Sequence, residues 1–496
     1  SDVYKRQDIG SSSIKVALVE TFSGKSIMTL NEPENEMDIQ SLKNDWAEQN
    51  PDDWWMLSCK AIKRIIIQSN IDPNKIKGIG ISYQMHGLVI VDEDGIPVRN
   101  SIIWCDSRAV EIGNKAFLEI GENKCTENLL NSPANFTASK LKWVKDNEPD
   151  LYEKTYKYML PGDFIAFKLT GDIKTTIGGL SEGIIWDYKN DIPANWLLDY
   201  YGISQKLTPD IVSNFTNQGV VNRQASMETN LPEGIPITYR AGDQPNNALS
   251  LNVFNSGEVA ATGGTSGVIY AVTNKLNSTE SSRINHFAHV NYSSQNPIIG
   301  KLLCINGAGI QYRWLRNNSV ENSYENMNRK ALKIPIGSDG VTVMPFGNGA
   351  ERMLNNINIG SRFNNLNLNN HGLSHLYRAA LEGVAFSFVY GMEILKNDNT
   401  NIDVIRAGND NLFRSEIFSN TVATLIGHEI EIYNTTGAVG AARAAGLVDG
   451  DFEKFGNKIT KNDHVMSYMP IKNKDPYQKA YELWKNELKE IIKNKN

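Results

Sequence analysis

The sequence predicts an α/β protein with two domains, from its length and from the order of its secondary-structure patterns. The chain has 496 residues, more than one ordinary hydrophobic core accommodates, so two domains of roughly 200 to 250 residues each are expected. Short β-branched runs typical of strands alternate with stretches that have the apolar spacing of core-facing helices. We place the boundary after Pro245, which gives domains 1–245 and 246–496 with a cleft between them.

The composition excludes several classes of protein. Hydrophobic residues make up 41% of the chain and charged residues 21%, as in soluble globular proteins. The net charge of −6, without a dense Lys/Arg patch, argues against a nucleic-acid partner. The sequence has no run of 18 apolar residues and no signal peptide, so we expect a cytoplasmic protein with no membrane partner. The four cysteines lack CxxC spacing and are expected to be buried thiols rather than zinc ligands or disulfides.

The first predicted element is a hairpin near the beginning of the chain. Asp8 to Glu20 (DIGSSSIKVALVE) combines a carboxylate, a small-residue turn and an apolar strand. Ser1 to Gln7 (SDVYKRQ) is polar and charged where a buried strand is expected to lead into Asp8. We therefore interpret residues 1–7 as not native.

Further strands and insertions follow in the first half of the chain. A strand from Ile76 to Tyr83 is predicted to end at the run Gln-Met-His-Gly, and a second strand (LVIVD) comes next. The region from about Ala109 to Tyr201 carries little diagnostic chemistry and is expected to form walls around a site. A strand near Pro236 leads into the run AGDQPNN.

The second half begins with another hairpin, Glu258 to Val272 (EVAATGGTSGVIYAV). Apolar residues spaced by three and four positions predict a core-facing helix from Leu376 to Leu395. Asp403 to Gly408 is predicted to be a strand, followed by a loop and a helix through Ile426. Gly437 to Gly446 (GAVGAARAAG) is predicted to be a helix whose small residues let another backbone or a flat ligand approach closely.

The two hairpin turns, Gly10 to Ser13 and Gly263 to Gly267, are candidates for phosphate binding. Their small residues leave the backbone N–H groups accessible and add hydroxyl donors. Either turn alone is more often an ordinary hairpin, but the pair, with Asp8 before the first turn, favours a phosphate site. A P-loop, a GxGxxG helix start and the protein-kinase motifs are absent from the sequence, so any phosphate would have to be bound by turns of this kind.

Nine segments, in order along almost the whole chain, resemble the FGGY carbohydrate kinases, and within that family most closely the xylulokinases. They are DIGSSSIK (Asp8 to Lys15), YQMHG (Tyr83 to Gly87), IIWCDSR (Ile102 to Arg108), AGDQPNNA (Ala241 to Ala248), GGTSG (Gly263 to Gly267), GAER (Gly349 to Arg352), RAALEGVAF (Arg378 to Phe386), AGNDNLFRS (Ala407 to Ser415) and TGAVGAARAAG (Thr436 to Gly446).

The resemblance implies two actin-like (ribonuclease H-like) domains around a central cleft, the N-terminal one binding sugar and the C-terminal one binding nucleotide. It implies an ATP-dependent kinase with Mg²⁺ as cofactor and a small-molecule sugar as acceptor. The Gln-Met-His-Gly run favours D-xylulose, with D-xylulose 5-phosphate as product. Closure of the domains would restrict ATP hydrolysis when sugar is absent. The sequence leaves a homodimer open.

Two carboxylates are expected to carry the catalytic roles. Asp243 matches the general base that accepts the proton of the sugar hydroxyl, and its alternative is an aspartate that caps a turn before Pro245. Asp8 matches the family carboxylate that holds Mg²⁺ through water, and its alternative is an ordinary turn carboxylate.

On the sugar side, Met85 is expected to pack on the acceptor and His86 to bind its hydroxyls, while Gln244 lies next to the proposed base. Trp104 would stack on the sugar ring. Asp106 and Arg108 would bind either the sugar or one another.

On the nucleotide side, the resemblance assigns residues from both turns and from a later loop. They are Gly10, Ser11, Ser12, Ser13, Lys15, Gly263, Gly264, Thr265, Ser266, Gly408, Asn409 and Asn411. Many family members have a glycine run followed by Ala-Lys or Ser at the adenosine loop, whereas this chain has Gly408-Asn409-Asp410-Asn411, which leaves the nucleotide preference open.

Other functions compete with this interpretation. Within the family, the acceptor would instead be ribulose, fuculose, rhamnulose, gluconate or glycerol. From another class, the chain would be a non-catalytic actin-like ATP-binding sugar sensor or chaperone. The presence of Asp243 argues against the second alternative, because a protein that only binds sugar needs no base there.

Overall fold

A computed structural model describes residues 3–277, 279–321, 323–409, 411–448 and 450–495, with the main chain only for residues 3–8 and 411. Contacts divide the chain into two units. The first unit comprises Ser1–Phe254, Phe287–Ile299 and Thr435–Asn462, and the second comprises Asn255–His286, Gly300–Asn434 and Asp463–Asn496. The boundary after Pro245 stays a prediction, since the units interleave in the sequence and are not separated by one cut.

The first unit is built on a five-stranded sheet. Its strands are β1 (Val3–Ile9), β2 (Ile14–Glu20), β3 (Ser26–Glu32), β4 (Ile76–Tyr83) and β5 (Ile237–Gly242). Their order is β5-β4-β1-β2-β3. The strands β1, β2 and β3 form an antiparallel meander, whereas β4 runs parallel to both β1 and β5. The carboxyl ends of β1, β4 and β5 therefore meet at one edge of the sheet.

A seven-stranded sheet lies mainly in the second unit. Its strands are β6 (Glu258–Gly263), β7 (Gly267–Thr273), β8 (Asn285–Ala288), β9 (Ile299–Ile305), β10 (Val404–Gly408), β11 (Ile430–Tyr433) and β12 (His464–Tyr468). Their order is β8-β9-β7-β6-β10-β11-β12. The pair β6 and β7 is the predicted second hairpin, and β6 runs parallel to β10.

Helices and short strands surround these sheets. The helices are Pro51–Ser69, Val110–Ile120, Glu122–Asn128, Thr137–Asn147, Pro149–Glu153, Pro161–Thr170, Ile177–Glu182, Asn195–Tyr201, Arg223–Thr229, Asp243–Ser250, Gly309–Asn317, Tyr324–Ala331, Leu373–Asn397, Glu416–Ile426, Gly437–Ala444, Phe452–Asp463 and Asp475–Lys493. The short strands are Glu48–Gln49, Val89–Val91, Ser101–Ile102, Lys157–Met159, Lys174–Thr175, Trp186–Asp187, Ile192–Pro193, Asp210–Ile211, Thr342–Phe346 and Gly360–Asn364.

The predicted core helix of the second half is confirmed as Leu373–Asn397. Its buried residues run almost continuously from Tyr377 to Leu395, and they form much of the hydrophobic core of the second unit. A helix that is apolar around most of its circumference is covered on several sides. It packs here against the helix Glu416–Ile426 and the strand Thr342–Phe346.

The predicted small-residue helix is also confirmed, as Gly437–Ala444, and it lies in the first unit. A Cβ atom on Gly440 would stand 1.7 Å from Ser250 Oγ, and one on Gly80 would stand 2.1 Å from the Ala441 carbonyl oxygen. Such distances exclude a side chain at either position. This close packing holds the helix Asp243–Ser250 against the sheet.

The four cysteines differ in how far they are buried. Cys125 is a buried free thiol as expected, but the expectation is wrong for Cys105, which is exposed, and for Cys59 and Cys304, which are half-buried. Within the described part of the chain, no helix has both the length and the apolar character needed to cross a membrane.

Candidate active site

The turn between β1 and β2 is held by a hydrogen bond within the turn and by another from a buried glutamine. The Gly10 N–H donates to the Ser13 carbonyl oxygen at 3.1 Å. Gln49 Nε2 donates to the Ser11 carbonyl oxygen at 2.7 Å, while Gln49 Oε1 accepts from Trp54 Nε1 at 3.1 Å. These contacts fix the path of the predicted phosphate turn within the first unit.

Ser12 and Lys15 of this hairpin are exposed, so they are accessible to a ligand. The main chain of Asp8 pairs with Lys15 across β1 and β2. The side chain of Asp8 lies outside the described residues, and its magnesium role stays a prediction.

The predicted sugar-contact residues follow β4 directly. The Gln84 N–H donates to the Ile9 carbonyl oxygen at 2.8 Å, which ties the end of β4 to the end of β1. Met85 is buried and His86 is half-buried. His86 has a φ of 62°, in the left-handed region, so the chain turns sharply at this residue.

The imidazole of His86 is held on three sides. Its ring centroid lies 4.8 Å from that of Phe136 and 5.1 Å from that of Phe287. Its Nδ1 lies 2.9 Å from the main-chain carbonyl oxygen of Glu182. A carbonyl oxygen only accepts hydrogen bonds, so Nδ1 carries a hydrogen in this contact.

Asp243 begins the helix that follows β5, and its side chain is half-buried. Gly242, immediately before it, allows an unusually close approach, since a Cβ atom there would stand 2.6 Å from Met85 Cγ and 2.8 Å from Glu182 Oε2. The glycine therefore brings the proposed base and the predicted sugar residue Met85 together. Gln244, half-buried, is next in the helix.

Asp106 and Arg108 bind one another, which is one of the two arrangements expected for them. Arg108 Nε donates to both carboxylate oxygens of Asp106 at 2.9 Å, and Arg108 Nη2 donates to Oδ2 at 2.7 Å. The guanidinium also lies 3.8 Å from the ring centroid of Trp46. Both side chains are buried, so the pair is an internal ion pair.

Trp104 lies on the surface of the first unit beside the predicted phosphate turn. Its side chain is among the exposed large hydrophobic ones, at 52%. Its Nε1 donates to Ser11 Oγ at 3.4 Å. The ring face is therefore accessible while its edge is tethered.

A buried lysine that the sequence does not single out joins two segments that carry predicted sugar-contact residues. Lys140 Nζ donates to the carbonyl oxygens of His86 and Ile103, both at 2.9 Å. Burial lowers the pKa of Lys140 to about 7, against the pull of the Asp106 carboxylate. The amine thus holds in place the segment before Trp104 and the segment that carries His86.

The region from Ala109 to Tyr201 therefore carries more chemistry than its sequence suggests. Lys140 stands on the buried face of the helix Thr137–Asn147, together with Leu141 and Val144. A lysine at a core position of an apolar pattern is a signal that could have found it. Glu182 gives no comparable signal, because its neighbours in space are remote in sequence.

In the second unit, the turn between β6 and β7 rests on the start of a helix. The Gly309 N–H donates to the Gly264 carbonyl oxygen at 3.1 Å, and the Ile310 N–H donates to the Thr265 carbonyl oxygen at 3.0 Å. A Cβ atom on Gly309 would stand 2.2 Å from the Gly264 oxygen. This contact requires glycine and fixes the turn.

Residues of this turn differ in accessibility. Gly263 is buried at the end of β6, whereas Thr265 and Ser266 are exposed at the tip. The side chains of Thr265 and Ser266 are thus accessible to a ligand, as the predicted phosphate role requires.

A cavity of about 480 Å³ adjoins the same turn. Its lining combines aromatic, aliphatic and polar side chains, which suits a flat base and a ribose. The lining residues are Gly264, Thr265, Gly309, Tyr312, Arg313, Tyr324, Glu325, Asn328, Leu381, Leu412, Arg414 and Ser415.

Several of these cavity residues were missed by the sequence analysis. Tyr312 and Tyr324 are stacked with their ring centroids 5.7 Å apart, and Tyr312 Oη donates to Asn328 Oδ1 at 2.8 Å. Arg414 Nε donates to the Asn409 carbonyl oxygen at 2.9 Å, so the predicted adenosine loop is connected to the cavity.

The rest of that loop is described in part. Gly408 ends β10, and the Asn409 N–H donates to the Tyr433 carbonyl oxygen at 2.8 Å. Asp410 and the side chain of Asn411 lie outside the described residues, so the role of Asn411 stays a prediction.

Glu351 supports the loop that leads into Gly309. Its carboxylate accepts from the N–H groups of Asn306 at 2.9 Å and Gly307 at 2.8 Å. The side chain is fully buried, and this burial raises the pKa of Glu351 to about 7, although both hydrogen bonds oppose the rise.

The two units carry the features expected of a carbohydrate kinase. The first has the predicted base next to the glycine that contacts Met85, and the second has a cavity beside the predicted phosphate turn. The model of the N-terminal domain of the FGGY family of carbohydrate kinases matches residues 3–250, and the model of its C-terminal domain matches residues 259–448. The chain belongs to the FGGY family of carbohydrate kinases. It is an ATP-dependent sugar kinase.

Similar proteins span almost the whole chain. The xylulose kinase of Bacillus subtilis (strain 168) is 27% identical over 497 residues, covering 97% of this chain and 95% of that protein. The xylulose kinase of Staphylococcus xylosus is 25% identical, covering 96% and 98%. The glycerol kinase of Thermococcus gammatolerans is 27% identical, covering 91% and 90%.

Solved structures agree on the fold. The xylulose kinase from Rhodospirillum rubrum has a TM-score of 0.88 at 21% identity, covering 99% of both chains. The Plasmodium falciparum glycerol kinase with ADP has a TM-score of 0.88 at 20% identity, covering 99% of this chain and 98% of that one. The predicted class, α/β with two actin-like domains, is confirmed.

The buried Glu351 makes stability depend on pH. Its pKa is raised from 4.5 to about 7 in the folded state. The stabilisation that protonated Glu351 gives the folded state is therefore fully present below the pKa of the unfolded state, and it is lost as the pH rises through the pKa of the folded state. We expect the unfolding free energy of the wild type, relative to Glu351→Gln, to fall by up to roughly 1.4 kcal/mol per pH unit across this window. Urea unfolding of both proteins between pH 5 and pH 8 measures this difference. A difference that does not change with pH would contradict it.

Proposed function

We propose that this kinase transfers the terminal phosphoryl group of ATP to a hydroxyl of D-xylulose and forms D-xylulose 5-phosphate. The position of Asp243 is the observation that carries the proposal. Its carboxylate begins a helix immediately after Gly242, and the backbone there is in close contact with Met85. The names of the Bacillus subtilis and Staphylococcus xylosus relatives favour xylulose as the acceptor.

Asp243 would act as the general base. A negative charge is favoured at the N-terminus of a helix, which keeps the carboxylate in the ionised form that a general base needs. As the sugar oxygen bonds to the γ-phosphorus, its proton passes to Asp243, and the bond to the bridging oxygen of ADP breaks in line. His86, Met85 and Trp104 would hold the acceptor.

The two turns would hold the phosphates through backbone and hydroxyl donors, which remain fixed during the reaction. The cavity lined by Tyr312 and Tyr324 would take the nucleoside. Mg²⁺ supplies charge neutralisation at the phosphates, and Asp8 would hold it through water. Within the described residues, no three His, Cys, Asp or Glu side chains converge on one point. A magnesium ion bound largely by phosphates and water does not require such a group.

A second acceptor class remains open, since a glycerol kinase is as similar in sequence as the xylulose kinases. A homodimer and a cytoplasmic location stay predictions. A sugar sensor without catalysis is disfavoured by Asp243, and the variant below separates that alternative.

Asp243→Asn removes the proposed base while keeping the shape of the side chain. We expect kcat to fall by about 10²- to 10⁴-fold, with ATP affinity unchanged, because the base acts only in the transition state. Sugar-dependent ADP release measures kcat, and calorimetry measures ATP binding. Asp150→Asn, at an exposed aspartate of the same unit, is the matched control and should keep wild-type activity. Full activity of Asp243→Asn would refute the role of the base.

A panel of acceptors tests the substrate. We expect the highest kcat/KM with D-xylulose among ketopentoses, deoxyketohexoses, gluconate and glycerol, and little ADP release without sugar. A higher kcat/KM with any other acceptor would move the assignment to that sugar. Equal ADP release with and without sugar would contradict the sugar-dependent assembly of the site.

A further inference from the structure

Glu182 is a buried carboxyl group at the centre of the sugar-side residues. It ends the short helix Ile177–Glu182, and its side chain is 1% exposed. Tyr83 Oη donates to Glu182 Oε1. Glu182 Oε2 has no hydrogen-bond partner among the atoms that the structure describes. One oxygen of this buried group is thus satisfied and the other is not, which is costly unless the second oxygen acquires a partner.

The unsatisfied oxygen faces the residue before the proposed base. It lies 2.8 Å from where a Cβ atom on Gly242 would be, and the same point is 3.2 Å from Met85 Sδ. Because Gly242 has no side chain, nothing on that residue separates Glu182 from the start of the helix at Asp243. The carboxyl group therefore lies close to the backbone at the start of this helix.

The main-chain carbonyl group of Glu182 is hydrogen-bonded to a second predicted sugar-contact residue, His86. Its carbonyl oxygen lies 2.9 Å from His86 Nδ1, so that nitrogen carries a hydrogen. In the neutral imidazole, Nε2 is then an acceptor and would take a hydrogen bond from a sugar hydroxyl. One residue thus contacts both His86 and the backbone beside Asp243.

Burial and the neighbouring negative charges favour the neutral form of Glu182. Burial raises the pKa of Glu182 well above its ordinary value; the Tyr83 hydroxyl and a main-chain hydrogen bond from His86 oppose the rise, whereas the negative charges of Asp243 and Asp163 add to it. The nearby cation, Arg240, is already bound to Asp163, with Nη1 3.0 Å from Oδ1. Tyr83 itself stays protonated, because burial and Glu182 raise its pKa.

We propose that Glu182 is a positioning residue for Asp243, with a neutral carboxyl group that donates its Oε2 hydrogen to the Asp243 carboxylate in the sugar complex. The proposal rests on the proposed role of Asp243 as base. The carbonyl oxygen of the neutral group accepts from Tyr83, and its hydroxyl is the donor without a partner. A second negative charge there would compete with Asp243 for the proton, whereas a neutral donor orients Asp243 without taking its charge.

Glu182→Gln tests the neutral state. The amide keeps an acceptor for Tyr83 and a donor at the place of Oε2, so we expect kcat within about threefold of wild type and an unchanged acid limb of the profile of kcat/KM against pH. If Glu182 were ionised, the variant would remove a negative charge beside Asp243 and move that limb to lower pH. Such a shift would overturn the proposal.

Glu182→Met, combined with Asp243→Asn, tests whether Glu182 acts through Asp243. Methionine fills a similar volume but has no O–H donor, so we expect kcat to fall about tenfold or more in the wild-type background. In the Asp243→Asn background, Glu182→Met should lower kcat by less than about twofold, because the carboxylate that Glu182 positions is no longer there. Equal losses in both backgrounds would show a merely structural role and would overturn the proposal.

Failure of the positioning role of Glu182 can be distinguished from failure of the proposed base Asp243. If Asp243→Asn alone keeps full activity, the proposed base is wrong and the role of Glu182 falls with it. If Asp243→Asn is impaired but the two changes have additive effects on kcat, the base stands and only the positioning role is overturned. Should Glu182→Met fail to fold, the pH profile of Glu182→Gln still decides whether the carboxyl group is neutral.

Discussion

The residues proposed to bind the sugar depend on one close contact, the approach of Met85 and Glu182 to the backbone at Gly242. A Cβ atom there would stand 2.6 Å from Met85 Cγ and 2.8 Å from Glu182 Oε2, so a larger residue would push the helix start away from both. The carboxylate of Asp243 follows directly on this contact. If Asp243 is the base, a small displacement here lowers the rate, since proton transfer requires its donor and acceptor to be within hydrogen-bond reach.

A close approach to a glycine also fixes the predicted phosphate turn of the second unit. Gly309 begins a helix against the carbonyl oxygen of Gly264, and its N–H donates to that oxygen at 3.1 Å. Because the carbonyl oxygen of Gly264 is used in this contact, the position of the turn is set by the fold before any ligand binds. The fully buried carboxyl group of Glu351 holds the loop before Gly309, so it supports this turn indirectly.

Local patterns predicted the elements of this fold, whereas long-range contacts decided its chemistry. The hairpins, the core helix Leu373–Asn397 and the small-residue helix each follow from spacing or residue size within one segment. The contacts of Glu182 with Tyr83 and His86 join residues 99 and 96 positions apart, and no pattern within the segment around Glu182 reports them. For Asp106 and Arg108 the sequence left two arrangements, and burial beside Trp46 decided between them.

A crystal structure with xylulose and a non-hydrolysable ATP analogue would show whether Asp243 lies beside the acceptor hydroxyl. We expect a carboxylate oxygen of Asp243 within about 2.6 to 3.2 Å of the oxygen of one sugar hydroxyl. We also expect Met85 to contact the sugar carbons. If every hydroxyl of the bound sugar lay beyond hydrogen-bond reach of Asp243, with Asp243 turned away from it, Asp243 would not be the base.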